Sequence, residues 1–194
     1  MNVSTSSIDS LTRPLLDLAF RFRVPLSWIV AICGFAFARP TVVSIILGSA
    51  WAALGMGWRA WAAGTIRKNT EMAQDGPYAR SRHPLYFGNL TIAAGFGLAS
   101  GRVLIFCAIM ALCFAVYLPL MRDEEAFMLS VFGDRYREYM NKVPRLLPAL
   151  RQSDRPGPQR FSWSQYLANH EYNAALGYGA AVALLIALHL LHRH

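Results

Sequence analysis

The sequence predicts an all-helical integral membrane bundle, and three observations carry that expectation. Hydrophobic residues make up 55% of the 194 and charged residues only 15%, against about 25% charged in ordinary soluble domains. The apolar residues are gathered into runs close to the roughly 20 residues that a spanning helix needs. Basic residues lie almost wholly on one side of those runs.

Taken in order, the runs give about five transmembrane helices. The first covers about Val24 to Ala38 and is short; the second, Thr41 to Gly64, follows a tight turn at Arg39-Pro40. Ala36-Phe37-Ala38 looks like a signal-peptidase site, but the run lies well inside the chain and leads into another apolar span, so it is read as an uncleaved helix. In the second run Gly48, Ala52 and Gly55 share one face and Gly57, Ala60 and Gly64 another, a spacing that lets helices approach closely. The third and fourth, Pro84 to Ser100 and Arg102 to Met121, meet at Gly101 as a hairpin, and the fifth covers Tyr172 to Leu191. Three parts follow: residues 1–66 with the first hairpin, residues 67–150 with the second hairpin and two polar clusters, and residues 151–194 with an interfacial segment and the last helix. That interfacial segment is punctuated by Pro and Gly and carries Phe161, Trp163 and Tyr166, aromatic anchors of the kind found at head-group level.

The charge pattern orients the bundle. Arg13, Arg21 and Arg23 precede the first span, Arg67, Lys68, Arg80 and Arg82 follow the second, and a larger group from Arg122 to Arg160 follows the fourth. Arg39, Arg102 and Arg193 are alone on the other side, and Arg59 falls inside the second span. The positive-inside rule therefore places the N-terminus in the cytoplasm and the C-terminus on the opposite side. The net charge of +8 is explained without nucleic acid, and Arg151, Arg155 and Arg160 suit the surface of membrane lipids.

Several chemistries are disfavoured. Cys33, Cys107 and Cys113 lie in apolar runs with no CxxC spacing, which supports neither a disulfide framework nor a zinc site. His189, His192 and His194 trail a membrane helix with no surrounding shell to orient metal ligands, so no metal is expected. Gly95, Gly97 and Gly101 are wrongly spaced for a dinucleotide fingerprint, and there is no G-x-S-x-G nucleophile elbow.

Polar chemistry collects in two clusters, DGPYARSRHPLYFGN from Asp75 to Asn89 and RDEEAFMLSVFGDRYREYMNKVPRLLP from Arg122 to Pro148. In the first, Asp75-Gly76-Pro77 is turn chemistry, and Pro84 suits the first turn of a helix while pushing His83 toward an extended conformation. Tyr78, Arg82 and His83 are thus held over a helix N-terminus, a place suited to a carboxylate or phosphate and equally to a plain interfacial loop. In the second, three acids follow the fourth span; the helix is expected to continue through Val131, turning one of Glu124 and Glu125 inward and its neighbour out. Those carboxylates either pair with Arg80, Arg82 or Arg122, or bind a cationic ligand or the hydroxyls of a ribose. Tyr136, Tyr139 and Val143 mark one face of a short amphipathic helix ended by Pro144, expected to lie across the mouth of the bundle.

Gly76-Pro77-Tyr78, then His83-Pro84-Leu85-Tyr86-Phe87-Gly88, followed by Glu124-Glu125, Phe132-Gly133, Tyr136, Tyr139 and Val143-Pro144, resemble the isoprenylcysteine carboxyl methyltransferase family and the wider group of phospholipid methyltransferase-like membrane enzymes. The resemblance covers roughly Thr70 to Pro148 and rests on both halves occurring in order around a helical hairpin. It implies transfer of a methyl group from S-adenosylmethionine at the cytoplasmic face, with residues 67–150 as a cofactor-binding core. By position, Glu71, Met72, Ala73, Tyr78, Arg82, His83, Pro84, Leu85, Tyr86 and Glu124 would line the cofactor pocket. Arg122 would position an acceptor carboxylate, and Glu125 would act on the substrate side or behind the pocket wall. Thr70 departs from the family, whose prenylcysteine enzymes can place a histidine there. The acceptor implied is a lipophilic molecule entering from the bilayer, a prenylcysteine-like carboxylate or a lipid amine among its forms. Two competing readings share parts of the pattern: an NADPH-dependent membrane sterol reductase, which resembles the arginine-histidine-proline segment, and a non-catalytic membrane scaffold.

Overall fold

The computed structural model describes residues 32, 34–66, 72–150 and 161–192. Among them every regular element is a helix: α1 (Val42–Thr65), a 3-10 turn (Gly76–Ala79), α2 (Pro84–Ala99), α3 (Val103–Phe132), α4 (Asp134–Lys142), α5 (Trp163–Ala168) and α6 (Tyr172–Leu191). Of the first expected span only residue 32 and residues 34–38 are described, helical through residue 37; the rest lies outside the described residues.

Three of these helices, α1, α3 and α6, are long and apolar enough to cross a membrane. The count of five expected from the sequence is thus not reached among the described residues. The expected third span is a 16-residue helix, about 24 Å long at 1.5 Å per residue, short of a hydrocarbon core of about 30 Å. Its packing explains why it is nonetheless apolar: α2 is the close partner of α1. A Cβ on Gly48 would lie 2.5 Å from the backbone of Gly95 and Ala99, and one on Gly95 would lie 2.5 Å from the Ala52 nitrogen. Gly55 meets Gly88 and Ile92 in the same way at 2.8 Å. Backbone contact of this kind needs small residues, because in lipid the helices gain from packing rather than from escaping water. The second small-residue face behaves otherwise: Gly57 faces open space, and Gly64 receives the ring of Phe161.

α1 opens with a capping box in which Thr41 and Ser44 satisfy each other's backbone N–H groups. At this end Gly101 adopts φ +70, and a side chain there would run into the Arg39 carbonyl. Arg39 N–H donates to Ser100 O at 2.9 Å, tying the turn before α1 to the turn between α2 and α3. α6 lies along α1, with Tyr178 Oη donating to Ser49 O at 3.0 Å and His189 Nδ1 to Pro40 O at 2.7 Å. None of the apolar stretch of α3 is buried within the molecule, which is the surface a lipid-facing helix presents.

Candidate functional site

The polar clusters meet at the end of the bundle away from Gly101. Between the 3-10 turn and α2, residues 80–83 run beside residues 144–149, which follow α4. Arg82 N–H donates to Pro144 O at 2.9 Å, His83 N–H to Arg145 O at 3.1 Å and Ala149 N–H to Arg80 O at 2.8 Å. Ser81, fully buried, donates through Oγ to Leu146 O at 2.9 Å. These bonds satisfy a buried loop's backbone without a sheet, and they fix Arg82 and His83 ahead of the Pro84 that starts α2.

α3 runs on to Phe132 and delivers two carboxylates to this loop. Successive helical residues point about 100° apart, and the pair is divided accordingly. Glu125 is 4% exposed. Its Oε2 accepts from Arg145 Nη2 at 2.6 Å and its Oε1 from Arg145 Nε at 3.1 Å, while Arg82 Nη1 lies 3.0 Å and His83 Nε2 3.2 Å from Oε1. Its hydrogen bonds hold the Arg145 guanidinium above its ordinary pKa. Glu124 is half exposed, accepts from Tyr86 Oη at 3.1 Å and faces His83 Nδ1 at 3.3 Å. Both His83 ring nitrogens therefore face carboxylates, and a neutral ring has a proton for only one of them.

α4 closes the arrangement as a cap. Met72, Tyr136, Tyr139 and Val143 form a buried cluster, and Tyr139 Oη donates to Tyr78 O at 2.7 Å. Burial, aided by the nearby Glu125 charge, pushes the Tyr136 phenol up to about 12. Burial also drives Tyr78 and Tyr139 well above the usual phenol range. The Tyr78 hydroxyl is buried without a hydrogen-bond partner, and such a group is costly unless something fills the space it faces.

That space is a cavity of about 520 Å³, within the range of small-molecule and cofactor sites. Met72, Ala73, Tyr78, Arg82, His83, Pro84, Leu85, Tyr86 and Glu124, all expected to line a pocket, do line it; Glu71 lies outside the described residues. The structure does not bring Arg122 there: it is exposed on α3 and absent from the wall. Glu125 sits behind the wall, with both oxygens engaged by Arg145, Arg82 and His83. Of the two pairings the sequence left open for it, ion pairing is the one observed, and Arg145 is a partner that sequence reasoning missed.

Arg59 and Asn89 were also missed, and both line the cavity. Arg59 Nε and Nη2 grip Glu171, at 2.5 and 2.9 Å, and Nη1 bonds to Asn89 Oδ1. The available signal was an arginine inside an apolar span, which by default marks a functional site. Phe127, Met128, Tyr136 and Tyr139 complete a largely aromatic and thioether wall. Among the described residues no group of three His, Cys, Asp or Glu side chains is placed to hold a metal ion.

Comparison with known proteins adds a family to this geometry. Residues 32–135 match the phospholipid methyltransferase family. The chain is 33% identical over 165 residues, 77% of its length and 74% of the relative's, to the cobalt-zinc-cadmium resistance protein CzcN of Cupriavidus metallidurans. It is 35% identical over 107 residues to the nickel-cobalt-cadmium resistance protein NccN of Alcaligenes xylosoxydans xylosoxydans, covering 54% of this chain and 48% of that one. It is 31% identical over 83 residues to the protein-S-isoprenylcysteine O-methyltransferase of Schizosaccharomyces pombe, covering 43% of this chain and 35% of the relative. No solved structure matches significantly. The family match spans more than half of the chain and takes in the α1–α2 pair, the loop before α2 and both carboxylates of α3, so the chain belongs to the phospholipid methyltransferase family and is a multi-pass membrane methyltransferase.

Proposed function

We propose that the protein transfers a methyl group from S-adenosylmethionine to a lipophilic acceptor, a prenylcysteine-like carboxylate, at the cytoplasmic face of the membrane. One observation carries this reading: the two halves of the family motif, far apart in sequence, fold into one cavity whose wall includes a buried tyrosine hydroxyl with no partner.

The residues present fit the cofactor. Tyr78 Oη offers a hydrogen bond that nothing among the described residues takes up. Half-exposed Glu124, positioned by Tyr86 and His83, suits the ribose hydroxyls or the methionyl amine. Aromatic residues, Met72 and Met128 line the cavity, and such groups would hold a sulfonium softly. When bound, S-adenosylmethionine supplies an activated methyl group on a positively charged sulfur. A bare carboxylate beside such a sulfur would stabilise the ground state more than the transition state. Glu125 is kept from that role by its three cationic or imidazole neighbours.

The chain's own tasks are then alignment and exclusion of water. The clamp of residues 80–83 against 144–149 fixes the Arg82-His83-Pro84 corner, and α4 covers it with Tyr136 and Tyr139. Holding acceptor and donor in line is worth several kcal/mol of barrier, on the order of 7 or more in well-oriented systems.

The test is isothermal titration of detergent-purified protein with S-adenosylhomocysteine and, separately, NADPH. Micromolar binding of the adenosyl ligand, lost in Glu124→Gln and His83→Ala, is expected. Binding of NADPH alone would replace this reading with the reductase, and binding of neither by folded protein would replace it with the scaffold.

A further inference from the structure

The bilayer end of the cavity is built differently from its loop-covered end. Arg59 lies six residues before the end of α1 and Asn89 five residues after the start of α2, so at 1.5 Å per residue both sit about 8–9 Å below the helix ends that carry the Arg82-His83 loop. Arg59 is 22% exposed, and its partner Glu171 only 5%. Glu171 spends both oxygens on Arg59 Nε and Nη2, and Asn89 Oδ1 takes one N–H of Nη1. A guanidinium has five N–H donors, so among the described residues two remain for a ligand in the cavity that Arg59 lines. The carboxylate that pairs with Arg59, Glu171, is buried and turned onto the guanidinium.

We propose that Arg59 is the specificity-determining residue that engages the head group of the methyl acceptor, and that it selects a carboxylate over an ammonium. The inference rests on the methyltransferase reading for the identity of the acceptor, while the site itself rests on Arg59, Asn89 and Glu171. The planar fork of arginine matches a carboxylate's two oxygens, whereas an ammonium at the same place would meet the guanidinium's own positive charge. Glu171 keeps the guanidinium neutralised and aimed, and Asn89 fixes its outer edge. Arg122, exposed outside the wall, has no part in this recognition. An acceptor held at Arg59 reaches the cavity from the lipid side, with its apolar tail left between helices and its carboxylate directed toward the loop-covered end.

The experiment uses the full chain in detergent and two probes, N-acetyl-S-farnesylcysteine, which carries a carboxylate, and S-farnesylcysteamine, which carries an ammonium in its place. Binding of each is measured by titration, with S-adenosylhomocysteine binding measured in parallel. Wild type is expected to bind the carboxylate probe at least tenfold more tightly than the ammonium probe. Arg59→Gln should lower carboxylate binding tenfold or more while adenosyl-ligand affinity stays within threefold. Should Arg59→Gln fail to fold because Glu171 is left without a partner, the double variant Arg59→Gln/Glu171→Gln removes both charges together and must show the same loss. Asn89→Ala should weaken the carboxylate probe by a smaller factor. Equal binding of the two probes, no binding of the carboxylate probe by wild type, or unchanged binding in the folded Arg59 variants would each overturn the proposal. Loss of adenosyl-ligand binding in those variants would reassign Arg59 to the cofactor and overturn it as well. Carboxylate selection by a wild type that binds no adenosyl ligand would retain the site and overturn the methyltransferase reading instead.

Discussion

Two arginine–carboxylate assemblies face the same cavity, and they are inverted copies in chemical logic. Beneath the loop before α2, one buried carboxylate, Glu125, collects Arg82, Arg145 and His83. Inside the helical layer, one guanidinium, Arg59, collects Glu171 and Asn89. The first gathers cations around an anion whose two oxygens are both engaged behind the cavity wall, and so fixes that wall. The second leaves a cation with donors to spare, and so leaves a place to bind. Burial of the carboxylate is nearly equal in the two; what separates them is which charge is the hub, an anion set behind the cavity wall or a cation that is part of it.

Removing each hub's carboxylate should break the two assemblies unequally. Glu125→Ala strands two guanidinium groups against a buried histidine, and breaking a buried pair of this kind costs about 3–5 kcal/mol. Unfolding in denaturant, followed in detergent, should show that loss together with a loosened loop at residues 80–83. Glu171→Ala removes two charge-assisted hydrogen bonds, but the arginine it leaves is partly exposed and keeps Asn89, so the loss should be smaller than in Glu125→Ala. If the second variant proved as destabilising as the first, Arg59 would be a structural post like Glu125 and the contrast between the two hubs would disappear.

The unpartnered hydroxyl sharpens the comparison from the ligand's side. Tyr78→Phe removes a buried group that, among the described residues, bonds to nothing, so ligand-free stability should be unchanged or raised. Affinity for S-adenosylhomocysteine should nevertheless fall by about fivefold, the worth of one hydrogen bond near 1 kcal/mol. A large stability loss with unchanged affinity would show that the hydroxyl belongs to the fold and not to the cavity.

The smallest effect concerns pH. Tyr136 is favoured in its neutral form by burial, so its folded pKa is raised and its stabilising contribution is whole below the ordinary phenol value. That contribution is lost as pH climbs from about 10 toward about 12, where the unfolded chain ionises first. Ultraviolet titration should show Tyr136 still un-ionised at pH 11, and Tyr136→Phe should flatten the alkaline fall in stability. Ionisation of this residue near 10 would mean that α4 does not cover the site.

The two hubs also differ in how far the sequence revealed them. The loop from Tyr78 to Tyr86 and the pair Glu124-Glu125 stood out because their chemistry is contiguous: Gly76 and Pro77 announce a turn, Pro84 a helix start, and adjacent acids at a span's end invite a division between inside and outside. That division was legible; which acid turned in was not, because it depends on where α3 meets the loop, and Glu125 proved to be the buried one. Arg145 escaped notice since it lies in a segment that has no regular structure and acts through its backbone as much as its charge. Arg59 was visible as an oddity inside an apolar run, yet its partner Glu171 is 112 residues away, and no local pattern joins them. Asn89 stood at the end of the first polar cluster and inside the expected third span, with no role given to it. Helical spacing gave the Gly48, Ala52 and Gly55 contact correctly, while Gly57 showed that a small residue at the same spacing need not touch anything. The bundle was thus readable in its apolar runs, with bounds close to those of α1 and α6, and the short α2 was not, since length in lipid is set by packing partners as well as by composition.

Methyl transfer itself is the decisive observable. Membranes containing the protein would be incubated with S-adenosylmethionine labelled in the methyl group, lipids extracted into organic solvent, and the extract treated with alkali. Label in the organic phase, released by alkali as methanol and absent in Glu124→Gln, is the predicted result, since a methyl ester is base-labile. Label that stays in the organic phase through alkali would show methylation of an amine and contradict carboxylate recognition by Arg59; no label at all from folded protein that binds the cofactor analogue, supplied with N-acetyl-S-farnesylcysteine, would contradict the proposed acceptor class.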